Sequence, residues 1–253
     1  MADQGMSLAS MKDVPSDKWK ILSEKKIFFG HQSVGNNIID GMRDVMKENS
    51  KIKFNIVKAT APEEIKAGVF AHAPVGKNAQ PGSKIDEFRS VMEKGVAGQV
   101  DIAFFKMCYV DISPDTDVEK LFASYKGTLA DLKKKYPGVT LVHVTSPLTT
   151  LQTGPKAWIK KRSGKPVVGY EDNVKRHAYN ELLRKEYTGR APIFDLATLE
   201  STLPDGGRVT FVKDGKTYPY LIRDYTNDGG HLNEKGRKIV AEQFLIFLAT
   251  LAR

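Results

Sequence analysis

The chain is poor in cysteine and has no long apolar run. Cys108 is its one cysteine in 253 residues, which excludes an internal disulfide bond and a metal site built from several thiolates. No stretch approaches the roughly 18 consecutive apolar residues of a membrane-spanning helix, so we expect no transmembrane segment. Residues 1–20 also lack the apolar core of a signal peptide. We therefore expect a cytoplasmic protein, or a periplasmic or secreted one if a leader has been removed.

Two common kinds of site are also missing. The five histidines are well separated in the sequence and no H-E-x-x-H motif is present, so we expect no metal site and no cofactor. Gly30 and Gly35 have the spacing of a phosphate-binding loop. Asn36 and Asn37, however, stand where that loop needs lysine and a serine or threonine, which excludes it.

Acidic residues are outnumbered by basic ones. The chain has 39 lysines and arginines against 30 acidic residues, a net charge of +9, and such a surface favours anionic partners. The run Lys133–Lys135 ends a predicted helix, where positive charge complements the helix dipole. The run Lys160–Arg162 lies in a segment with glycine and proline and is predicted to be a contact surface. We find no nucleic-acid-binding motif and expect no such partner.

Apolar patterns alternate between strand and helix about five times along the chain. Short apolar runs predict strands at 26–29, 54–59, 100–107, 139–147 and 191–197. Helical periodicity predicts helices from Val34 to Met46, Ile85 to Met92, Val118 to Leu132, 172 to 187 and Ile239 to Leu251. Asp214-Gly215 predicts a hairpin over 208–222. Residues 73–83 are predicted to lie in a long polar loop, and 148–171 to form another.

This alternation predicts an α/β fold with a mainly parallel five-stranded sheet and helices on both of its faces. We expect an N-terminal extension over 1–24 and a single domain over 25–253, with insertions near 148–171 and 200–224. In such folds ligands bind beyond the carboxyl ends of the strands. Ser33, Lys106, Cys108 and Ser146 fall at or just past such ends.

Ser33 stands where the first strand passes into a helix, in the stretch "KKIFFGHQSVGNNIIDGM". A serine hydroxyl becomes an effective nucleophile only beside a base that is itself held by a third group. At this turn the hydroxyl would be exposed at the sheet edge, and the N–H would lie at the positive end of the helix, which suits a developing oxyanion. The alternative is a serine that caps the helix, and this stretch alone does not separate the two.

A second stretch, "NDGGHLNEKG", places Asp228 three residues before His231, in a glycine-rich turn that precedes the last helix. Asp228 could hold one ring nitrogen of His231 while the other faces Ser33. Asn233 would then cap the last helix. The alternatives are a turn aspartate and a histidine that is merely a polar residue before the helix. Pairing with a serine at the start of the fold favours the catalytic interpretation.

Together the two stretches resemble the SGNH/GDSL hydrolase superfamily. "FFGHQSVG" resembles the first block of the family and "DGGHLNEKG" its last, and the order of elements is similar over about residues 25–250. The resemblance implies a flavodoxin-like, three-layer α/β/α sandwich and an esterase or acyltransferase with a serine nucleophile. It also implies a catalytic triad in which Ser33 is the nucleophile, His231 the general base and Asp228 the acid that orients it.

The middle of the sequence departs from this family. His31-Gln32 precede Ser33 in place of the Gly-Asp of the usual Gly-Asp-Ser-Leu. For the oxyanion hole, "VGKNAQPG" offers Gly76 and Asn78. Where the family has Gly-x-Asn-Asp, this chain has Lys106-Met107-Cys108-Tyr109, with Cys108 in the place of the asparagine. The oxyanion hole is therefore either incomplete or built from other donors.

Two residues of this departing block allow more than one interpretation. Lys106 shares a strand face with Ile102 and Phe104. At the strand end it would bring a positive charge to the crevice, for an anionic substrate group or a transition state, or it would extend to water. For Cys108 a buried, inert thiol is favoured over a nucleophile because no base is near it in sequence.

Trp158, Tyr170 and Tyr220 lie in the insertions, where they would stack on a sugar ring or pack the loops.

Two functional hypotheses follow. The first is a serine esterase acting on a short acyl group such as acetyl, on a carbohydrate or another small polar alcohol, and an acyltransferase would use the same residues. The second is a catalytically weak binding module that recognises an anionic glycan or a phosphate-bearing ligand through Lys106 and residues 160–162. An α/β-hydrolase nucleophile elbow is excluded, because "HQSVG" lacks the first glycine and the acid lies only three residues before the histidine.

Overall fold

Strands and helices alternate through residues 8–163 and 167–252, which the computed structural model describes. The strands are β1 (Ile27–His31), β2 (Asn55–Lys58), β3 (Val69–Pro74), β4 (Ile102–Phe105), β5 (Thr140–Leu141), β6 (His143–Val144), β7 (Ile193–Phe194), β8 (Thr210–Lys213) and β9 (Lys216–Pro219). The helices are α1 (Ser16–Leu22), α2 (Val34–Glu48), α3 (Pro81–Glu93), α4 (Val118–Lys135), α5 (Pro155–Arg162), α6 (Tyr170–Tyr187), α7 (Leu196–Glu200) and α8 (Glu234–Leu251).

The central sheet is parallel and has five strands in the order β2-β3-β1-β4-β5. β6 follows β5 almost without interruption and pairs in parallel with β7, so one extended segment, 140–144, joins both ladders. β8 and β9 form the antiparallel hairpin predicted around Asp214-Gly215. These observations confirm the predicted α/β fold with a mainly parallel five-stranded sheet.

Alternating side chains divide the interior into two cores. Phe29 and Phe104 join a core with apolar residues of α2 and α8. Phe28 and Phe105, their neighbours in β1 and β4, join a second core with residues of α3 and α4. Since successive strand residues point to opposite faces of a sheet, the two cores lie on opposite sides of it. The molecule is therefore the expected three-layer α/β/α sandwich.

β3 is the strand that the sequence analysis missed. The sequence predicts a polar loop over residues 73–83, whereas β3 ends only at Pro74 and pairs with both β1 and β2. Its sequence, "VFAHAP", contains two alanines and a histidine, and thus gives a weak apolar signal. Pairing on both sides nevertheless buries it, because burial and neighbours outweigh intrinsic strand propensity. The predicted loop 148–171 likewise contains a helix, α5.

Part of the predicted N-terminal extension belongs to the folded body. Trp19 and Leu22 of α1 are buried in the same core as α8. The Lys18 ammonium also donates to the carbonyl oxygen of Ala252 at 2.9 Å. Residues 16–22 therefore pack against the last helix. Among the described residues, no helix is both long enough and apolar enough to cross a bilayer.

The first and last motifs lie close together because α2 packs along α8. A Cβ atom at Gly41 would lie 2.3 Å from the carbonyl oxygen of Arg237, so only glycine permits this close approach of the two backbones. Arg237 also forms an ion pair with Asp44 of α2 at 2.7 Å. Ser33 immediately precedes α2, and His231 lies three residues before α8. Packing of these two helices thus brings the first and last motifs together.

Candidate active site

Ser33 has an unusual backbone conformation at the start of α2. Its φ is +52° and its ψ is −110°, and its side chain makes no capping hydrogen bond, so the capping alternative is wrong. For a residue with a Cβ atom such a conformation costs about 1–3 kcal/mol, and strain of this kind is concentrated at functional sites. The turn directs the hydroxyl of Ser33 toward the loop before α8.

Ser33, His231 and Asp228 form a continuous hydrogen-bonded relay. Ser33 Oγ lies 2.5 Å from His231 Nε2, and His231 Nδ1 lies 2.6 Å from Asp228 Oδ2. The second oxygen, Asp228 Oδ1, accepts from the backbone N–H groups of Gly230 at 2.9 Å and of His231 at 2.8 Å.

The hydrogen bonds of Asp228 determine which atoms of the relay donate a proton and which accept one. Desolvation would raise the pKa of Asp228, but the hydrogen bonds from Gly230 and His231 outweigh it and the pKa is well below its ordinary value. Asp228 is therefore a carboxylate and accepts the proton of Nδ1. This leaves the lone pair of Nε2 to accept the hydroxyl proton of Ser33, which is the arrangement that activates a serine.

The side chains of His231 and Asp228 are exposed to solvent, and the backbone next to them is held by α2 and α8. The side chains of His231 and Asp228 are 42% and 57% exposed. The N–H of Leu232, next to His231, donates to the Asn37 side chain of α2 at 3.2 Å. As predicted, Asn233 caps α8 by accepting from the N–H of Gly236. The imidazole and the carboxylate are therefore accessible to solvent, while the loop that carries them is held by α2 and α8.

Tyr109 also belongs to this site, although the sequence analysis named it only as part of the departing block 106–109. Its hydroxyl lies 3.5 Å from His231 Nδ1, and its ring meets the imidazole edge to face with centroids 5.5 Å apart. The Ser33 side chain lies near enough to the hydroxyl to oppose the rise in the pKa of Tyr109 that burial causes. The one signal in the sequence was its position, directly after the residue that replaces the family's asparagine.

Of the two expected oxyanion donors of the 76–78 loop, the N–H of Gly76 is engaged elsewhere and Asn78 lies on the surface. The N–H of Gly76 donates to Glu87 Oε2 at 2.7 Å, so it does not point to Ser33. The carbonyl oxygen of Gly76 accepts from the Gln32 side chain at 2.8 Å, which ties this loop to the serine turn. Asn78 is exposed, and its side-chain oxygen accepts from Lys84 at 3.0 Å.

Cys108 is a buried thiol, as favoured by the sequence analysis, and its backbone is also engaged. Its sulfur lies 3.5 Å from the carbonyl oxygen of Gln32, and its N–H donates to Asp111 Oδ2 at 2.6 Å. The same oxygen of Asp111 accepts from the Lys84 ammonium at 2.5 Å, with both side chains fully buried. Asp111 Oδ1 accepts from the N–H of Ala79. This buried ion pair joins the 76–79 loop to the turn that carries Tyr109.

Lys106 matches neither of its predicted roles. It is completely buried, and its ammonium lies 3.2 Å from the carbonyl oxygen of Met107 and 3.6 Å from Cys108 Sγ. It therefore neither extends to water nor presents a charge to the crevice. Desolvation lowers the pKa of Lys106. Burial also raises the pKa of Glu200 to about 8, against the opposing influence of the Leu148 N–H and of Lys106.

A cavity of about 460 Å³, lined by polar and apolar side chains, adjoins the relay on the side of Asp228 and Tyr109. Its wall is formed largely by the segment 149–153, with Val168, Arg223 and the glycines 229 and 230. Of the aromatic residues of the insertions, Trp158 is exposed and Tyr170 packs against Phe211. Among the described residues, no cluster of three or more histidine, cysteine or acidic side chains is arranged to hold a metal ion.

Comparison with known proteins supports the architecture. No protein-family model matches the chain, and no curated protein matches its sequence. A protein from Parabacteroides merdae named a GDSL-like lipase aligns with a TM-score of 0.52 and 16% identity, over 92% of this chain and 99% of that one. A psychrotrophic esterase from Pseudoalteromonas sp. aligns with a TM-score of 0.50 and 10% identity, over 90% and 98%. A protein from Streptococcus pneumonia named a platelet activating factor aligns with a TM-score of 0.54 and 15% identity, over 92% of this chain and 90% of that one. The chain therefore shares its α/β/α fold with these three structures.

Proposed function

We propose that the protein is a serine esterase of the SGNH type. The observation that carries this proposal is the relay from Ser33 through His231 to Asp228, which joins two motifs separated by 198 residues. The strained backbone of Ser33 supports it, because the serine is held where its hydroxyl meets the imidazole rather than where it would cap α2. The fold is also that of a solved esterase.

In the first half of the reaction, the Ser33 hydroxyl attacks the ester carbonyl carbon. The new Oγ–C bond forms as His231 Nε2 takes the hydroxyl proton, and the carbonyl electron pair moves to the oxygen. Asp228 stabilises the resulting imidazolium through its bond to Nδ1. When the electron pair returns, the ester C–O bond breaks. The leaving alcohol takes the proton from His231, and the acyl group remains on Ser33.

In the second half, water repeats the attack on the acyl-enzyme. His231 takes a proton from the water, a tetrahedral intermediate forms again, and the bond to Ser33 Oγ breaks. Ser33 recovers its proton from His231 and the carboxylic acid leaves. The exposure of the His231 side chain allows water to reach this position. An alcohol acceptor in place of water would make the same residues an acyltransferase.

We infer a substrate with a small acyl group, such as acetyl, on a carbohydrate or another small polar alcohol. The cavity beside the relay supports this inference, since hydroxyl and amide side chains from residues 149–153 line it. Its volume of about 460 Å³ lies in the range of small-molecule sites. Arg223 adds a positive charge to its wall, which would suit an alcohol that carries an anionic group.

The test is turnover of p-nitrophenyl acetate together with labelling by a fluorophosphonate. Ser33→Ala should lower turnover by about 10⁴-fold or more and abolish stoichiometric labelling. Ser124→Ala is the matched control, because Ser124 is an exposed serine of α4, and it should behave as wild type. Equal turnover by wild type and Ser33→Ala would refute the esterase proposal and favour the second hypothesis, a binding module.

A further inference from the structure

The proposed reaction needs more hydrogen-bond donors than the expected positions supply. The oxygen of a tetrahedral intermediate is stabilised by donors about 2.7–3.1 Å away, and losing one donor costs about 10²–10³ in rate. The N–H groups of Gly76 and Cys108 are bound to the carboxylates of Glu87 and Asp111. The N–H of Ser33 has no acceptor among the described residues and is available. A second donor is still needed, and the N–H groups of Gly76 and Cys108 do not supply it.

Tyr109 brings a hydroxyl to this position. Its hydroxyl lies 3.5 Å from Nδ1 of His231 and its ring packs edge to face on the imidazole, so it stands beside the base that serves Ser33. Desolvation raises the pKa of Tyr109, and the charge of Asp228 raises it further. The hydroxyl therefore keeps its proton at neutral pH and is available as a donor.

The ring of Tyr109 is held from two sides. The buried Arg176 donates to the carbonyl oxygen of Tyr109 at 2.9 Å and has its guanidinium 5.9 Å from the ring centre. Thr149 and Asn173 each accept from Arg176 at 2.8 Å and fix it in turn. On the other side, a Cβ atom at Gly230 would lie 2.7 Å from Tyr109 Cζ. The glycine before His231 thus makes the space that the ring occupies.

We propose that Tyr109 is a catalytic residue that donates its O–H to the carbonyl oxygen of the ester as Ser33 attacks. Tyr109 keeps its proton throughout. The hydrogen bond strengthens while the carbonyl electron pair resides on the oxygen, and it weakens when the pair returns and the ester C–O bond breaks. This inference rests on the proposed esterase function. In this proposal the phenol of Tyr109 takes over the role of the asparagine that is absent at position 108.

The experiment is Tyr109→Phe, which keeps the ring and removes only the hydroxyl. With p-nitrophenyl acetate we expect kcat to fall by about 10²–10³-fold and KM to stay within about threefold, since the bond forms mainly in the transition state. Tyr218→Phe, in the β8–β9 hairpin, is the control and should match wild type. Fluorophosphonate labelling counts the folded active sites. Dividing the rate by this count gives a kcat that remains valid if part of the variant is unfolded. The labelling reaction itself should also be slower.

The outcomes separate the two proposals. If wild type and Ser33→Ala have equal turnover, the esterase proposal fails and the role of Tyr109 fails with it. If wild type exceeds Ser33→Ala but Tyr109→Phe keeps a kcat within twofold of wild type, the role of Tyr109 alone is refuted. A rise in KM with unchanged kcat would also refute it, because it would show uniform substrate binding and no preference for the transition state.

Discussion

The buried ion pair between Lys84 and Asp111 should dominate the stability of the loops around the site. Both side chains are fully buried, and Asp111 also accepts from the N–H groups of Cys108 and Ala79. Asp111→Ala leaves the Lys84 cation without its counter-charge and both N–H groups without acceptors. Removal of one partner of a buried pair costs about 3–5 kcal/mol, a large part of the roughly 5–15 kcal/mol that stabilises a typical domain.

Urea unfolding followed by circular dichroism measures this loss. Asp131→Ala is the control, because Asp131 pairs with Arg89 at 3.0 Å but the two side chains are 73% and 39% exposed. Surface pairs of this kind contribute about 0–1 kcal/mol. The free energy of unfolding should therefore fall several times further in Asp111→Ala than in Asp131→Ala.

A double-mutant cycle identifies the cause of the loss. In a Lys84→Met background no cation is left unpaired, so Asp111→Ala should cost at least about 1 kcal/mol less than in the wild type. A loss below about 1 kcal/mol for Asp111→Ala would refute the reasoning. An equal loss in both backgrounds would show that the N–H acceptors, and not the charge pair, account for the stability.

Two further predictions concern pH and the N-terminal helix. The pKa of Glu200 rises from its ordinary value of 4.5 to about 8, so between these pH values the folded protein holds a proton that the unfolded chain has lost. The contribution of Glu200 to stability should therefore fall as pH rises through this window, by at most about 1.4 kcal/mol per unit. Buried histidines such as His31 and His143, whose pKa values are lowered, contribute in the opposite direction below about pH 6.5. In urea titrations at pH 5 to 8 the free energy of unfolding should therefore rise more with pH, or fall less, in Glu200→Gln than in the wild type; an unchanged slope contradicts this. Trp19→Ala should cost about 3–5 kcal/mol because Trp19 is buried, whereas Trp158→Ala, at a 62% exposed residue, should stay within about 0.5 kcal/mol; similar losses would show that α1 is not part of the core.

The relay could be predicted because each half of it has a local signature. A serine between an apolar strand and an amphipathic helix, and an aspartate three residues before a histidine in a glycine-rich turn, are both visible in short windows. Their convergence follows from the position of β1 at the centre of the sheet and from the packing of α2 against α8. The catalytic roles of these residues stay a prediction until turnover is measured.

The remainder of the site depends on pairings that a sequence does not display. Lys84 looks like a surface residue in the sequence of α3, yet it is fully buried against an aspartate 27 residues away. Lys106 was expected at the crevice because its position marks a strand end, but that position does not reveal that its side chain is buried. β3 was missed because its buried residues are partly alanine, whose small side chain gives little apolar signal.

The structure also explains why the ends of the sequence resemble the family while its middle departs from it. The relay depends on the helix pair α2 and α8, whose close contact is set by Gly41. The oxyanion region depends on a separate unit, the loops 76–79 and 108–111, which Asp111 joins through three hydrogen bonds. The two units meet at Gln32, whose side chain donates to the Gly76 carbonyl oxygen, and at Tyr109, whose ring packs against His231. A tyrosine one residue past the usual asparagine position therefore contacts the histidine that the helix pair positions.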